Sequence, residues 1–164
     1  MSQRVLFVCT GNSCRSVMAQ GLLQQRLKQL ESRLREPVEV TSAGIAALEG
    51  MSPTKDTLRL LQRESIDLSG HMARLLTDEM IRDATLILVM ESHHLEEIVR
   101  RAPVARSKTH LLKSYGLPNA QGGELSLNVS DPIGRPAEVY ESCFVMIREA
   151  VERVAHALVA AQSS

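Results

Sequence analysis

The stretch that decides the fold is VLFVCTGNSCRSVMAQ, residues 5–20. An apolar run of strand length, Val5 to Cys9, meets a short polar segment containing Gly11 and Asn12. Beyond it Ala19, Leu22, Leu23, Leu27, Leu30 and Leu34 recur at three-to-four spacing, the apolar stripe of a helix laid back over a sheet. Strand, tight loop and helix open an α/β unit, and in an open parallel sheet ligands gather where such a loop leaves the carboxyl end of a strand. Two cysteines in that loop, Cys9 and Cys14, are core residues, metal ligands, a disulfide, or a nucleophile with its supporting groups.

Working outward, VEVTSAG from Val38 to Gly44 alternates as a second strand. Ser52 followed by Pro53 predicts a helix start leading into Leu58 and Leu61. ATLILVM, Ala84 to Met90, is the most hydrophobic run and predicts a central strand covered on both faces. Leu95, Ile98 and Val99 follow with helical period, then THLL from Thr109 as a last short strand. From Ala137 onward Tyr140, Phe144, Ile147, Val151, Val154 and Leu158 predict a long amphipathic closing helix. The pattern is an α/β doubly wound domain: a four-stranded parallel sheet, helices on both faces, and a phosphate-type loop after the first strand. Lys113 to Pro136 has no period and holds Gly116, Pro118, Gly122, Gly123, Pro132, Gly134 and Pro136, so it reads as a long loop of functional or mobile character.

Composition bounds the rest. The 164 residues, 44% of them hydrophobic, fill one sizeable core and too little for two, so one domain spanning 1–164 is expected. Nineteen basic and nineteen acidic residues cancel, which argues against nucleic acid or an anionic membrane as partner and makes any basic site local. The run at Val5 is far short of a signal or membrane segment, and the odd set Cys9, Cys14 and Cys143 suits a reducing compartment, so a cytoplasmic location is expected. The histidines show no paired ligand spacing, and neither a metal nor a cofactor is expected.

The loop has its own chemistry. Gly11 and Asn12 tolerate the left-handed conformations that turn successive backbone N–H groups inward, and the helix that follows adds partial positive charge, so the loop can cradle an anion. It lacks the lysine and second glycine of a nucleotide-binding loop. It has instead a cysteine at its mouth and an arginine six positions later. A guanidinium, a helix N-terminus and inward N–H groups favour the thiolate, which is the nucleophile, while Arg15 can grip two phosphate oxygens.

Cys9 to Arg15 with Ser16 spells C-x5-R-S, and here the chain resembles the low-molecular-weight protein tyrosine phosphatases. The resemblance runs nearly the whole length, through TSAG at Thr41 to Gly44, GHMAR at Gly70 to Arg74, LILVMESHH at Leu86 to His94 and DPIGRP at Asp131 to Pro136. It implies a phosphocysteine intermediate on Cys9, phosphate held by Arg15 and the amides of Thr10, Gly11, Asn12, Ser13, Cys14 and Ser16, and Asp131 as general acid and then base. It also implies a polar network of Asn12, Ser16, Ser42 and His71 that shapes the loop, a phosphorylated protein as substrate and inorganic phosphate as product. Val17 stands where many members carry proline, from which a less rigid helix start is expected.

The family's default substrate residue is phosphotyrosine; the rival is phosphoarginine. Tyrosine-selective relatives carry a bulky aliphatic at the position of Ser13 and aromatics after Asp-Pro, whereas Ser13 resembles the threonine of the arginine phosphatase branch and Ile133-Gly134 follow Asp131-Pro132 here. An arsenate reductase on this fold would need two further cysteines in mid-chain, and Leu60 to Thr109 contains none. A non-catalytic phosphoprotein-binding module conflicts with an intact Cys9, Arg15 and Asp131. Among the remaining residues, Cys143 reads as core, and Cys14 as either packing or a thiol that forms a disulfide with Cys9 on oxidation. His93 and His94 read as a solvated helix face, Tyr115 and Tyr140 as packing or surface groups, and Arg100, Arg101 and Arg106 as a solvated face.

Overall fold

A computed structural model describes residues 2–118 and 127–163. Among the described residues nine principal elements follow one another: β1 (Gln3–Cys9), α1 (Arg15–Gln29), β2 (Val38–Gly44), α2 (Lys55–Arg63), α3 (Asp78–Asp83), β3 (Leu86–Val89), α4 (Ser92–Arg101), β4 (Thr109–Leu111) and α5 (Ala137–Ser163). The four strands form one parallel sheet in the order β2-β1-β3-β4.

Alternation along β1 divides the core in two. Val5 and Phe7 point into the cluster formed with α1, α2 and α5, while Leu6 and Val8 point into the one formed with α3 and α4. Helices therefore cover both faces, as expected, and β3, buried at every position, occupies the interior place that its unbroken hydrophobic run predicts. From β1 the chain crosses to β2 on one side, and β3 pairs on the other. The carboxyl ends of β1 and β3 thus flank a topological switch point, with Val8 beside Val89, and the loops leaving both strands open into one crevice.

Two boundaries differ from expectation. The second helix begins at Lys55 with Thr54, not Ser52, as its cap: Thr54 Oγ1 accepts from the Thr57 N–H, and the Thr54 N–H donates to Ser13 O at 3.1 Å, fixing the chain two residues later. α1 ends at Gln29, and a 3-10 turn carries the chain round so that Leu34 reaches the core from outside the helix. Within the expected long loop, Gly122 and Gly123 lie outside the described residues. Among the described residues no helix is long and apolar enough to cross a membrane.

Candidate active site

Cys9 is the last residue of β1 and Arg15 the first of α1, so the strand end and the helix start hold the two ends of the loop between them. Asn12 makes the turn possible. Its φ of 53° lies in the left-handed region that asparagine tolerates better than most residues, and its side chain, fully buried, uses its whole hydrogen-bonding capacity. The amide nitrogen donates to Ser16 Oγ at 2.8 Å and Ser42 Oγ at 2.9 Å, and the amide oxygen accepts from the Arg74 N–H at 3.0 Å and from His71 Nε2 at 3.2 Å. Arg74 N–H is an unambiguous donor, which fixes the orientation of the amide and makes His71 Nε2 the protonated nitrogen. Burial lowers the His71 pKa, the bond to Asn12 opposes that and the Arg74 charge adds to it, so the ring is held neutral. Ser42 Oγ in turn donates to Gln20 Oε1. The expected network of Asn12, Ser16, Ser42 and His71 thus comes together, with Gln20 as an added member.

The network ends on Cys9. Ser16 Oγ lies 2.9 Å from Cys9 Sγ, and since it already accepts from Asn12 its own hydrogen is free to point at the sulfur. The Asn12 N–H approaches Sγ at 3.3 Å. Of the loop's other backbone N–H groups, those of Thr10, Gly11, Ser13 and Cys14 meet no acceptor among the described residues, so they are available to an anion. Space for the loop is made by Gly44 on β2. A Cβ there would stand 2.4 Å from Thr10 O and 2.9 Å from Asn12 N.

Arg15 is 1% exposed, yet it remains charged because its surroundings are built for a cation. Burial opposes the charge, but Cys9, the hydrogen bond Arg15 donates to Glu91, Asp131 and the Glu91 charge outweigh it and hold the pKa above the ordinary value. Nη1 is spent on Glu91 Oε2 at 2.6 Å and Val129 O at 2.7 Å. Nη2 makes two long contacts, Thr10 Oγ1 at 3.5 Å and Asp131 Oδ2 at 3.6 Å, which leaves the Nε and Nη2 edge to grip an oxyanion. Asp131 is partly exposed, and its Oδ1 accepts the Ile133 N–H at 3.1 Å, which seats the carboxylate over the loop. Cys9 and Arg15 at the two ends of the loop, and Asp131 far along the sequence, therefore share one crevice at the switch point.

Glu91 and His94 also border the loop, and the sequence reading gave neither a place in the site. Both follow β3, the strand beside Cys9, so a polar residue just past the end of a central strand is the signal that could have found them. For His94 the expectation of a solvated helix face is corrected: it is fully buried, because the first turn of α4 rotates it inward against Thr10, while its neighbour His93 is exposed. Arg100 and Arg101 are paired with Glu97 and Asp78 at the surface.

The remaining thiols divide. Cys14 is buried with Sγ 3.5 Å from Thr54 Oγ1 and 3.7 Å from Tyr140 OH, so Tyr140 packs beneath the loop, and Cys9 and Cys14 are both free thiols. Burial pushes the Cys143 thiol up to about 12, which fits the expected core role. Glu91, His93 and His94 lie close enough together to suggest a metal site, but both nitrogens of His94 and one oxygen of Glu91 are already engaged in the loop's scaffold.

Comparison with known proteins agrees with this geometry. The family model for low molecular weight phosphotyrosine protein phosphatase matches residues 4–164. A protein-arginine-phosphatase of Geobacillus stearothermophilus is 38% identical over 158 residues, covering 96% of this chain and 97% of that protein. The low molecular weight protein-tyrosine-phosphatase Ptp of Acinetobacter johnsonii is 32% identical over 149 residues, with 91% and 93% covered. Among solved structures, the YwlE arginine phosphatase from Geobacillus stearothermophilus superposes with a TM-score of 0.84 at 37% identity, over 98% of this chain and 96% of that one. With a family model spanning almost the whole sequence and relatives aligned nearly end to end, the chain belongs to the low molecular weight phosphotyrosine protein phosphatase family, whose members are cysteine-dependent hydrolases.

Proposed function

We propose that the chain acts as one domain over residues 1–164, in the cytoplasm, removing phosphate from phosphorylated protein side chains, with phosphoarginine as the best-supported substrate residue and phosphotyrosine as the second. Cys9 Sγ attacks phosphorus while the bond from phosphorus to the leaving nitrogen or oxygen breaks, and Asp131, as the carboxylic acid, gives that atom its proton. Arg15 and the loop N–H groups carry the charge on the phosphoryl oxygens. Water then attacks phosphorus, the Asp131 carboxylate takes its proton, and the S–P bond breaks to return the Cys9 thiolate and release inorganic phosphate.

The observation that carries the choice of substrate is the fate of the aromatic side chains. The chain has two tyrosines, two phenylalanines and no tryptophan. Phe7, Tyr140 and Phe144 are buried, and Tyr115 packs beside His110 of the edge strand β4, two strands from β1, which leaves none to wall a slot for a phenyl ring. At the position where tyrosine-selective relatives place an aromatic stands Ile133, 55% exposed. Ser13, half-buried, carries a hydroxyl that can accept from a guanidinium N–H, where an aliphatic chain would desolvate that group without compensation. The arginine phosphatase among the relatives supports the same reading, while the tyrosine phosphatases among them favour the second.

The test is kcat/KM on matched phosphoarginine and phosphotyrosine peptides for wild type and Ser13→Ile. The substitution should move selectivity toward phosphotyrosine by about tenfold, roughly 1.4 kcal/mol of differential transition-state binding. An unchanged ratio removes Ser13 as a determinant, and a wild type that turns over neither peptide overturns the phosphatase reading.

A further inference from the structure

His94 contributes no group to the cradle itself, yet the fold buries it completely next to one. Its two ring nitrogens are used in a fixed sense. The Glu91 N–H, which can only donate, points at Nδ1 from 3.0 Å, so Nδ1 is the bare nitrogen and the ring proton sits on Nε2. Burial first, then the His93 and Arg15 charges, lower its pKa to about 3, and the ring stays neutral. Nε2 lies 2.9 Å from Thr10 Oγ1 and therefore donates to it.

The proton inventory of Thr10 follows. Its hydroxyl oxygen accepts from His94 Nε2 and, at 3.5 Å, from Arg15 Nη2, so both lone pairs are occupied by donors. Its single hydrogen must go elsewhere, and no acceptor among the described residues takes it. The hydroxyl sits beside Arg15 Nη2, the same nitrogen that faces Asp131, on the side of the cradle where a phosphoryl oxygen gripped by Arg15 would lie.

We infer that His94 is a positioning residue for phosphoryl transfer: by donating from Nε2 to Thr10 Oγ1 it turns the Thr10 hydroxyl proton toward the phosphoryl group and gives the cradle a side-chain donor beside Arg15. The inference rests on the phosphatase reading above and extends it from the loop's backbone to the first residue past the nucleophile. Without His94 the hydroxyl is free to rotate and can itself accept, facing phosphate with a lone pair.

Two substitutions separate this from a role in capping α4. The amide of an asparagine reaches about as far as Nδ1, and that of a glutamine about as far as Nε2. His94→Asn therefore keeps an acceptor for the Glu91 N–H and loses the donor to Thr10, and His94→Gln does the reverse. Binding of inorganic phosphate is read by calorimetry, turnover as kcat/KM on an aryl phosphate, and folding by the melting temperature. Thr10→Val should weaken phosphate binding and kcat/KM by about tenfold or more, Thr10→Ser should retain both, and His94→Asn should match Thr10→Val while His94→Gln stays within a fewfold of wild type. The double variant Thr10→Val/His94→Asn should be no worse than Thr10→Val alone.

Losses at the two positions that multiply, a His94→Gln variant worse than His94→Asn, or a Thr10→Val variant with native phosphate affinity and turnover would overturn the inference. Should the His94 variants fail to fold, Thr10→Val against Thr10→Ser decides it with His94 in place. A wild type that binds phosphate through Thr10 but hydrolyses no phosphoester would instead count against the phosphatase reading alone.

Discussion

Gly44→Ala is the substitution whose effect the structure defines most sharply. Gly44 closes β2 directly beside Cys9, and a Cβ there would meet only backbone: Thr10 O at 2.4 Å, Asn12 N at 2.9 Å and the Gly11 carbonyl carbon at 3.0 Å. The objection is steric, not conformational. Real Cβ contacts essentially never fall below 3.0 Å, so the Thr10 carbonyl must retreat by roughly 0.6 Å or more. The strand cannot yield in its place, because Gly44 is held on its outer side by its own N–H to Arg74 O and by the Leu76 N–H to its carbonyl, both at 2.9 Å. The loop therefore moves, straining the 2.9 Å bond from the Ala46 N–H to Thr10 O. Overpacking of this kind costs about 1–3 kcal/mol, or about 3–10 °C in Tm for a domain of this size. A shift approaching 1 Å in catalytic groups costs up to about a hundredfold in rate, so kcat/KM on an aryl phosphate should fall about tenfold to a hundredfold while the far-UV spectrum stays native. Gly70→Ala is the control, since a Cβ there meets nothing within 4 Å, and it should change neither Tm nor turnover. A Gly44→Ala protein with native Tm and native kcat/KM would refute the claim that this glycine sets the position of the cradle.

Asp131→Ala should slow esters with poor leaving groups far more than those with activated phenols, because only the former need a proton as the bond breaks; a uniform loss across a leaving-group series would mark Asp131, 3.6 Å from Arg15, as purely structural. Acid should also unfold the protein partly through its buried imidazoles. The His94 pKa falls from 6.5 unfolded to about 3 folded, so the unfolded chain binds the extra proton between those values: the contribution is whole above pH 6.5 and is lost as pH falls toward 3. His71 acts in the same direction. By pH 5 His94 alone should have cost up to about 2 kcal/mol, and His94→Gln should flatten the fall of Tm between pH 6.5 and 5; an unchanged slope would mean the folded ring titrates normally.

What was legible in the sequence is what depends on neighbours along the chain or on unbroken patterns. The β1 run and the loop to Arg15 announce themselves because strand, turn and helix start are contiguous, and α5 because its apolar period persists for many turns. What was not legible depends on which strand lies beside which. Glu91 is an unremarkable acid in mid-chain until parallel pairing sets Val89 next to Val8, which brings the residue two beyond β3 level with the residues just beyond Cys9. His94 looked solvent-facing because a paired histidine on a polar stretch usually is, and only the direction of the first turn of α4 sends one ring inward and the other out. The second helix began late for a related reason: a local cap signal at Ser52-Pro53 was overridden by the Thr54 N–H bond to Ser13 O, a tertiary contact with the loop itself. In each case the deciding partner belongs to the phosphate loop or the crevice beside it. The residues hardest to place from sequence are thus those that hold the site's shape, since a nucleophile is recognised by its own chemistry and a support only by what it touches.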